Sequence, residues 1–145
     1  MSKPTRITIH HSLTKDSKTV SWNAIRKYHT TEPRLMFYDI GYQFGLELVA
    51  EHYEILIGRM MNQQGAHVRG HNRNNLGICF VGNYDLAPPP EKMWNLGVKF
   101  VSSLCEVLDI SVMAVRGHHE YDSNKTCPGT QFDMNKFRNN LRGRD

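Results

Sequence analysis

No run of apolar residues in this chain approaches the length needed to cross a bilayer, so stable membrane insertion is not expected. Met1-Ser2-Lys3-Pro4-Thr5-Arg6 opens with basic character but lacks the apolar core of a secretory signal, and synthesis in the cytoplasm without a signal peptide is the expectation. Cysteine is scarce and odd in number: Cys79, Cys105 and Cys127 stand far apart, which argues against a disulfide framework. Repeats, low-complexity tracts and Gly/Ser-rich linkers are missing, and 145 residues suit one compact domain over 1–145. No glutamate occupies an HExxH-like position, so a helix-borne metalloprotease motif is excluded. What is present is ordinary for a soluble globular protein: 39% hydrophobic and 22% charged residues, too apolar for disorder.

The apolar spacing predicts an α/β layered domain, a central mixed β-sheet flanked by helices. Residues 6–10 have the character of a strand that ends in histidine, and Thr14 to Lys18 of a polar loop. A short helix is expected from Val20 to Thr30, stopped by Glu32-Pro33. Residues 43–49 and 54–58 form an expected antiparallel pair, and Leu76 to Val81 a fully buried strand. Between them, residues 62–75 are too polar and glycine-rich for regular structure, and a long loop of that kind is usually functional. The longest helix is predicted near residues 90–108, with Gly97 inside it to let a neighbouring element pack closely. Val112 to Val115 is expected as a strand, and Asp133 as the N-cap of a last helix whose inner face is Met134, Phe137 and Leu141.

Chemistry concentrates near the C-terminus, in His118-His119-Glu120-Tyr121-Asp122-Ser123-Asn124-Lys125-Thr126-Cys127-Pro128-Gly129. Imidazole and thiolate both suit zinc. A second donor pair, His10-His11, ends the first predicted strand. Residues at strand ends in one sheet can converge on one point, so the two regions together outline an open metal site suited to hydrolysis. Either member of each His-His pair could be the ligand on this pattern alone. Cys79 and Cys105, in apolar surroundings, are expected as packed core thiols.

Four segments, in order, make the chain recognisable: Ile7-Thr8-Ile9-His10-His11-Ser12, Asp39-Ile40-Gly41-Tyr42-Gln43-Phe44, Gly65-Ala66-His67 through Asn74-Asn75-Leu76-Gly77-Ile78, and Gly117-His118-His119-Glu120 through Lys125-Thr126-Cys127-Pro128-Gly129. Together they resemble the zinc-dependent N-acetylmuramoyl-L-alanine amidases of type 2, a family that includes small phage lysozymes and peptidoglycan recognition proteins. The resemblance implies one zinc ion held by His10, His118 and Cys127, with His11 and His119 in supporting places. It also implies catalytic roles for Tyr42 and Lys125, and hydrolysis of the amide between N-acetylmuramic acid and L-alanine. His67, Arg73 and Asn74 are candidate groove residues for substrate, because sugars and peptide carboxylates call for amide and cationic partners.

The partner so implied is peptidoglycan, approached from the cytoplasm of a host cell and cut in the wall or periplasm by an endolysin-like, monomeric enzyme without a separate wall-binding domain. Two related readings are a noncatalytic peptidoglycan-binding module and an amidase that recycles soluble muropeptides. Retention of Cys127 favours catalysis over mere recognition. The net charge of +4, the pI of about 9.1 and the stretch Arg69-Gly70-His71-Asn72-Arg73-Asn74 raise the alternative of a nuclease. Phosphodiester chemistry usually employs Mg²⁺ on carboxylates, and a His-His-Cys set is too soft for that, so no nucleic-acid partner is expected.

Overall fold

The structure, a computed structural model, describes residues 3–14 and 22–142. Five strands and three helices alternate in the order β1 (Arg6–His11), α1 (Trp22–Thr31), β2 (Phe44–Val49), β3 (His52–Ile57), β4 (Asn75–Phe80), α2 (Glu91–Leu108), β5 (Val115–Gly117) and α3 (Met134–Arg142). The strands form one sheet in the order β3-β2-β4-β1-β5. β2 and β3 are antiparallel, and every other pairing is parallel, so the sheet is mixed as the apolar spacing predicts. The expected residues Val20 and Ser21 of the first helix, and most of the loop from Thr14 to Lys18, lie outside the described residues.

Period-two alternation separates the sheet into an apolar face and a chemical face. Ile7, Ile9, Leu46, Leu76, Ile78, Phe80 and Val115 face α2 and α3, where Met93, Val101, Leu104, Phe137 and Leu141 complete the main core. On the other face, Thr8 and His10 of β1 stand beside Gly77 and Cys79 of β4, and Thr8 also beside Arg116 of β5. A smaller cluster of Trp22, Ile25, Ile40, Cys79 and Val81 closes that side under α1. β4 is buried at all six positions because both of its faces are covered, which explains its unbroken apolar run.

One boundary differs from expectation in a way that matters. Val112–Ala114 is a 3-10 turn, with the Ser111 hydroxyl accepting from the Met113 amide, and the strand is displaced to Val115–Gly117. Ser111 competes for the backbone and delays strand pairing. β5 therefore ends directly at His118, which opens a second 3-10 turn, His118–Glu120. Arg138 of α3 anchors this turn, donating to the Val115 carbonyl at 3.0 Å and to Glu120 at 2.7 Å. Asp133 caps α3 by accepting from the Lys136 amide at 2.9 Å.

Gly97 sits where the ring of Phe80 meets α2, and a Cβ there would collide with the ring tip. The helix gains about 1 kcal/mol from Gly→Ala in an open setting, but forcing a buried aromatic aside costs typically 1–3 kcal/mol. Gly97→Ala should therefore lower stability by about 1 kcal/mol, read as a lower urea midpoint at unchanged slope. A raised midpoint would contradict the packing role.

Candidate metal centre

Three donors converge at the C-terminal edge of the parallel strands. One ligand atom each from His10, His118 and Cys127 lie within 4.8 Å of one another. Nδ1 of His10 is 3.5 Å from Sγ of Cys127, close to the edge of a tetrahedron with zinc–nitrogen and zinc–sulfur bonds of about 2.0 and 2.3 Å. His10 is delivered by β1 and His118 by the end of β5. The returning loop delivers Cys127, whose carbonyl accepts from the His119 amide at 2.8 Å. On either side of Cys127, Asp85 receives the Thr126 hydroxyl at 3.0 Å and the Thr130 amide at 2.8 Å, tying this loop to the segment that follows β4.

Burial sets the charge state of the donors. It holds His10 well below the ordinary histidine pKa, helped by the neighbouring His67 and His118. His118 is lowered as well, by burial and then by Lys125. Burial pushes the Cys127 thiol up to about 12, against the pull of the His11 amide and Lys125. Two neutral imidazoles beside a thiol fit a borderline-soft divalent ion, whose charge would displace the thiol proton. The set can hold a metal ion and contains no carboxylate.

The other member of each pair points elsewhere. Nδ1 of His11 accepts from the Tyr84 amide at 3.1 Å, and its Nε2 is buried with no partner among the described residues. Nδ1 of His119 lies 3.1 Å from the Cys127 carbonyl oxygen. Both serve backbone groups.

Tyr42 stands against the centre, its ring 5.1 Å from that of His10 and stacked at 6.1 Å on Trp22. Burial, then the thiols of Cys79 and Cys127, raise its phenol well above the ordinary range, so it remains a neutral donor. Its loop is stitched down by a residue the sequence did not single out. Arg59, only 5% exposed, donates to the carbonyls of Ile40 at 2.9 Å, Gln64 at 2.7 Å and Asp39 at 3.3 Å. The Arg59 amide also donates to the Tyr42 carbonyl at 2.9 Å. Lys125 is exposed on the loop between His118 and Cys127, near enough to bias both.

The three expected groove residues are placed differently. His67 is not in an open groove: it is 9% exposed, with Nδ1 2.9 Å from Nε2 of His10 and Nε2 2.9 Å from the Asn75 carbonyl oxygen. Arg73 and Asn74 sit at the opposite end of β1 from His10, where their carbonyls receive Arg6 and Thr5. The reason is the register: Asn75 pairs with Arg6 and Cys79 with His10, so the residues just before β4 lie five or more strand rises, about 16 Å, from the level of His10.

The profile of the N-acetylmuramoyl-L-alanine amidase family matches residues 1–130. The chain belongs to that family. The endolysin of Escherichia phage T7 is 30% identical over 137 residues, covering 90% of this chain and 83% of that protein. The endolysin of Enterobacteria phage T3 is 31% identical with the same coverage. Peptidoglycan-recognition protein 2 of Holotrichia diomphalia is 34% identical over 105 residues, 69% of this chain and 54% of that one. In fold, the amidase LysC of Clostridium intestinale matches with a TM-score of 0.79 at 21% identity, covering 97% of this chain and 86% of its own. The mixed sheet with its flanking helices is thus the amidase fold.

Two outcomes follow for this amidase. Cys127→Ser should lower the content of added divalent metal retained after dialysis well below that of the wild type, by elemental analysis; unchanged content would remove Cys127 from the centre. In metal-free protein, burial brings His67 from 6.5 to about 4. A histidine with a depressed native pKa favours the folded state above its unfolded pKa, and that advantage is lost as pH falls. His67 alone contributes ~3 kcal/mol of this loss. The urea midpoint of the metal-free protein should decline from pH 6.5 toward 4, and a flat profile there would contradict the burial account.

Proposed function

We propose that this peptidoglycan amidase uses zinc, held by His10, His118 and Cys127, to cut the amide joining N-acetylmuramic acid to L-alanine. The observation that carries the reading is the convergence of those three donors beside the Tyr42 ring. Zinc bound there supplies Lewis acidity toward the scissile carbonyl and lowers the pKa of water. With one thiolate among its ligands the site keeps a net charge near +1, so further help from the chain is needed.

Tyr42 gives that help as a hydrogen-bond donor. Its raised pKa keeps the proton on the phenol across the working pH range, and we assign that donor to the carbonyl oxygen on which negative charge develops. Lys125, carried on the mobile reach of an exposed side chain, stabilises charge or passes a proton to the departing amine of L-alanine. Trp22 and His29 pack around the Tyr42 ring and limit its rotation. No carboxylate is among the three donors, and our reading gives the proton handling to Tyr42 and Lys125.

The phage endolysins that match most of the chain support a lytic role on the wall; our reading takes the enzyme as a monomer with a single domain over 1–145. Among the described residues no helix is long and apolar enough to cross a membrane. Peptidoglycan is the partner this reading assigns.

Digestion of purified sacculi should liberate L-alanine amino termini without new reducing sugar ends. Reducing ends in place of amino termini would mark a glycosidase and overturn the reading. Tyr42→Phe and Lys125→Ala should each retain zinc and thermal stability while turnover drops on the order of 10²–10³-fold. Near wild-type release by both would remove them from the mechanism.

A further inference from the structure

We propose that His67 is a positioning residue for the metal centre: it fixes which nitrogen of His10 faces Cys127 and His118, and it holds that ring in place. This deepens the zinc reading and rests on it for the function of His10. The contacts form a directed chain. The Asn75 carbonyl can only accept, so its 2.9 Å contact requires the N–H of His67 to be on Nε2. A neutral imidazole has one N–H, which leaves Nδ1 of His67 as an acceptor. The group 2.9 Å from that nitrogen is Nε2 of His10, which therefore carries the proton. The lone pair of His10 is then on Nδ1, the atom 3.5 Å from Cys127 Sγ.

His67 is itself built into the sheet. A Cβ at Gly77 would lie 2.6 Å from both Cγ and Cδ2 of its ring, so glycine at this position of β4 makes room for it. Asn72 Oδ1 accepts from the amides of His67 and Val68 at 2.9 and 2.8 Å, fixing the loop that carries the ring. The Asn75 side chain accepts from the Thr8 hydroxyl at 2.9 Å and donates to the His71 carbonyl at 2.7 Å. The end of the chain is thus anchored to β1, the strand that carries His10. The two rings meet edge-on, with centroids 5.0 Å apart and planes at 90°. Both His67 nitrogens are engaged within the protein, so neither is left for a sugar or a stem peptide.

Outer partners of metal-bound histidines typically contribute 10–100-fold in metal affinity or activity. His67→Phe keeps an aromatic ring of similar size and removes the acceptor. His67→Asn keeps an acceptor near the position of Nδ1. Zinc Kd by chelator competition should weaken 10–100-fold in His67→Phe and recover most of that loss in His67→Asn, with KM for sacculi unchanged. An unchanged Kd with a raised KM would make His67 a substrate contact and overturn the proposal, as would no recovery in His67→Asn.

A variant-free readout guards against misfolding. Long-range proton–nitrogen NMR of the histidine rings in the metal-free wild-type chain should find His10 protonated on Nε2, and protonation on Nδ1 would overturn the proposal. The underlying zinc reading fails separately: Cys127→Ser with wild-type zinc Kd would sink that reading while leaving the His10 tautomer as found.

Discussion

Because β1 pairs in parallel with β4 on one side and β5 on the other, the chain can bring together groups 117 positions apart at one edge of one sheet. Parallel pairing puts the C-terminal ends of β1 and β5 side by side, so His10 and His118 leave the sheet as neighbours. Nothing local to either segment could achieve this. The apolar face pressed on α2 and α3 fixes the register, since a one-residue slip would turn Ile7 and Ile9 outward and His10 into the core. The chemical face inherits its geometry from the hydrophobic one.

Holding imidazoles and a thiol together out of water carries a desolvation cost, and the fold limits it by keeping them uncharged. His10 and His67 are neutral by burial, and the thiol of Cys127 keeps a proton that a bound cation would displace. Buried polar atoms nearby are mostly satisfied by backbone: Gln43 spans the Gly77 amide and the Gln63 carbonyl, and Arg59 gathers three carbonyls of the Tyr42 and Gln64 loops. The 62–75 segment is irregular because its side chains and carbonyls bind this network rather than a ladder. Its polar composition reflects scaffolding of the centre from behind.

Much of this was legible from residue order. Strand ends in histidine, the Pro-Gly turn after Cys127 and the apolar spacing of α2 and α3 each depend on local pattern, and each leaves a signal in the chain. Gly97 announced a close approach and met Phe80. What stayed hidden depends on register and on side-chain direction. His67, Arg73 and Asn74 look equivalent in a polar loop, yet one turns under His10 while the others stay at the far end of β1. Arg59 follows a predicted strand and gives no hint that its guanidinium will be buried among carbonyls. The displaced start of β5 turned on a single serine hydroxyl competing for an amide.

The central claim is that two imidazole nitrogens and one sulfur share a single ion. X-ray absorption at the zinc K-edge, on the full chain loaded with one equivalent, reports those atoms directly. The account predicts one sulfur at about 2.3 Å and two histidine nitrogens near 2.0 Å, completed by light-atom scattering. A shell of oxygen and nitrogen alone, with no sulfur, would contradict it.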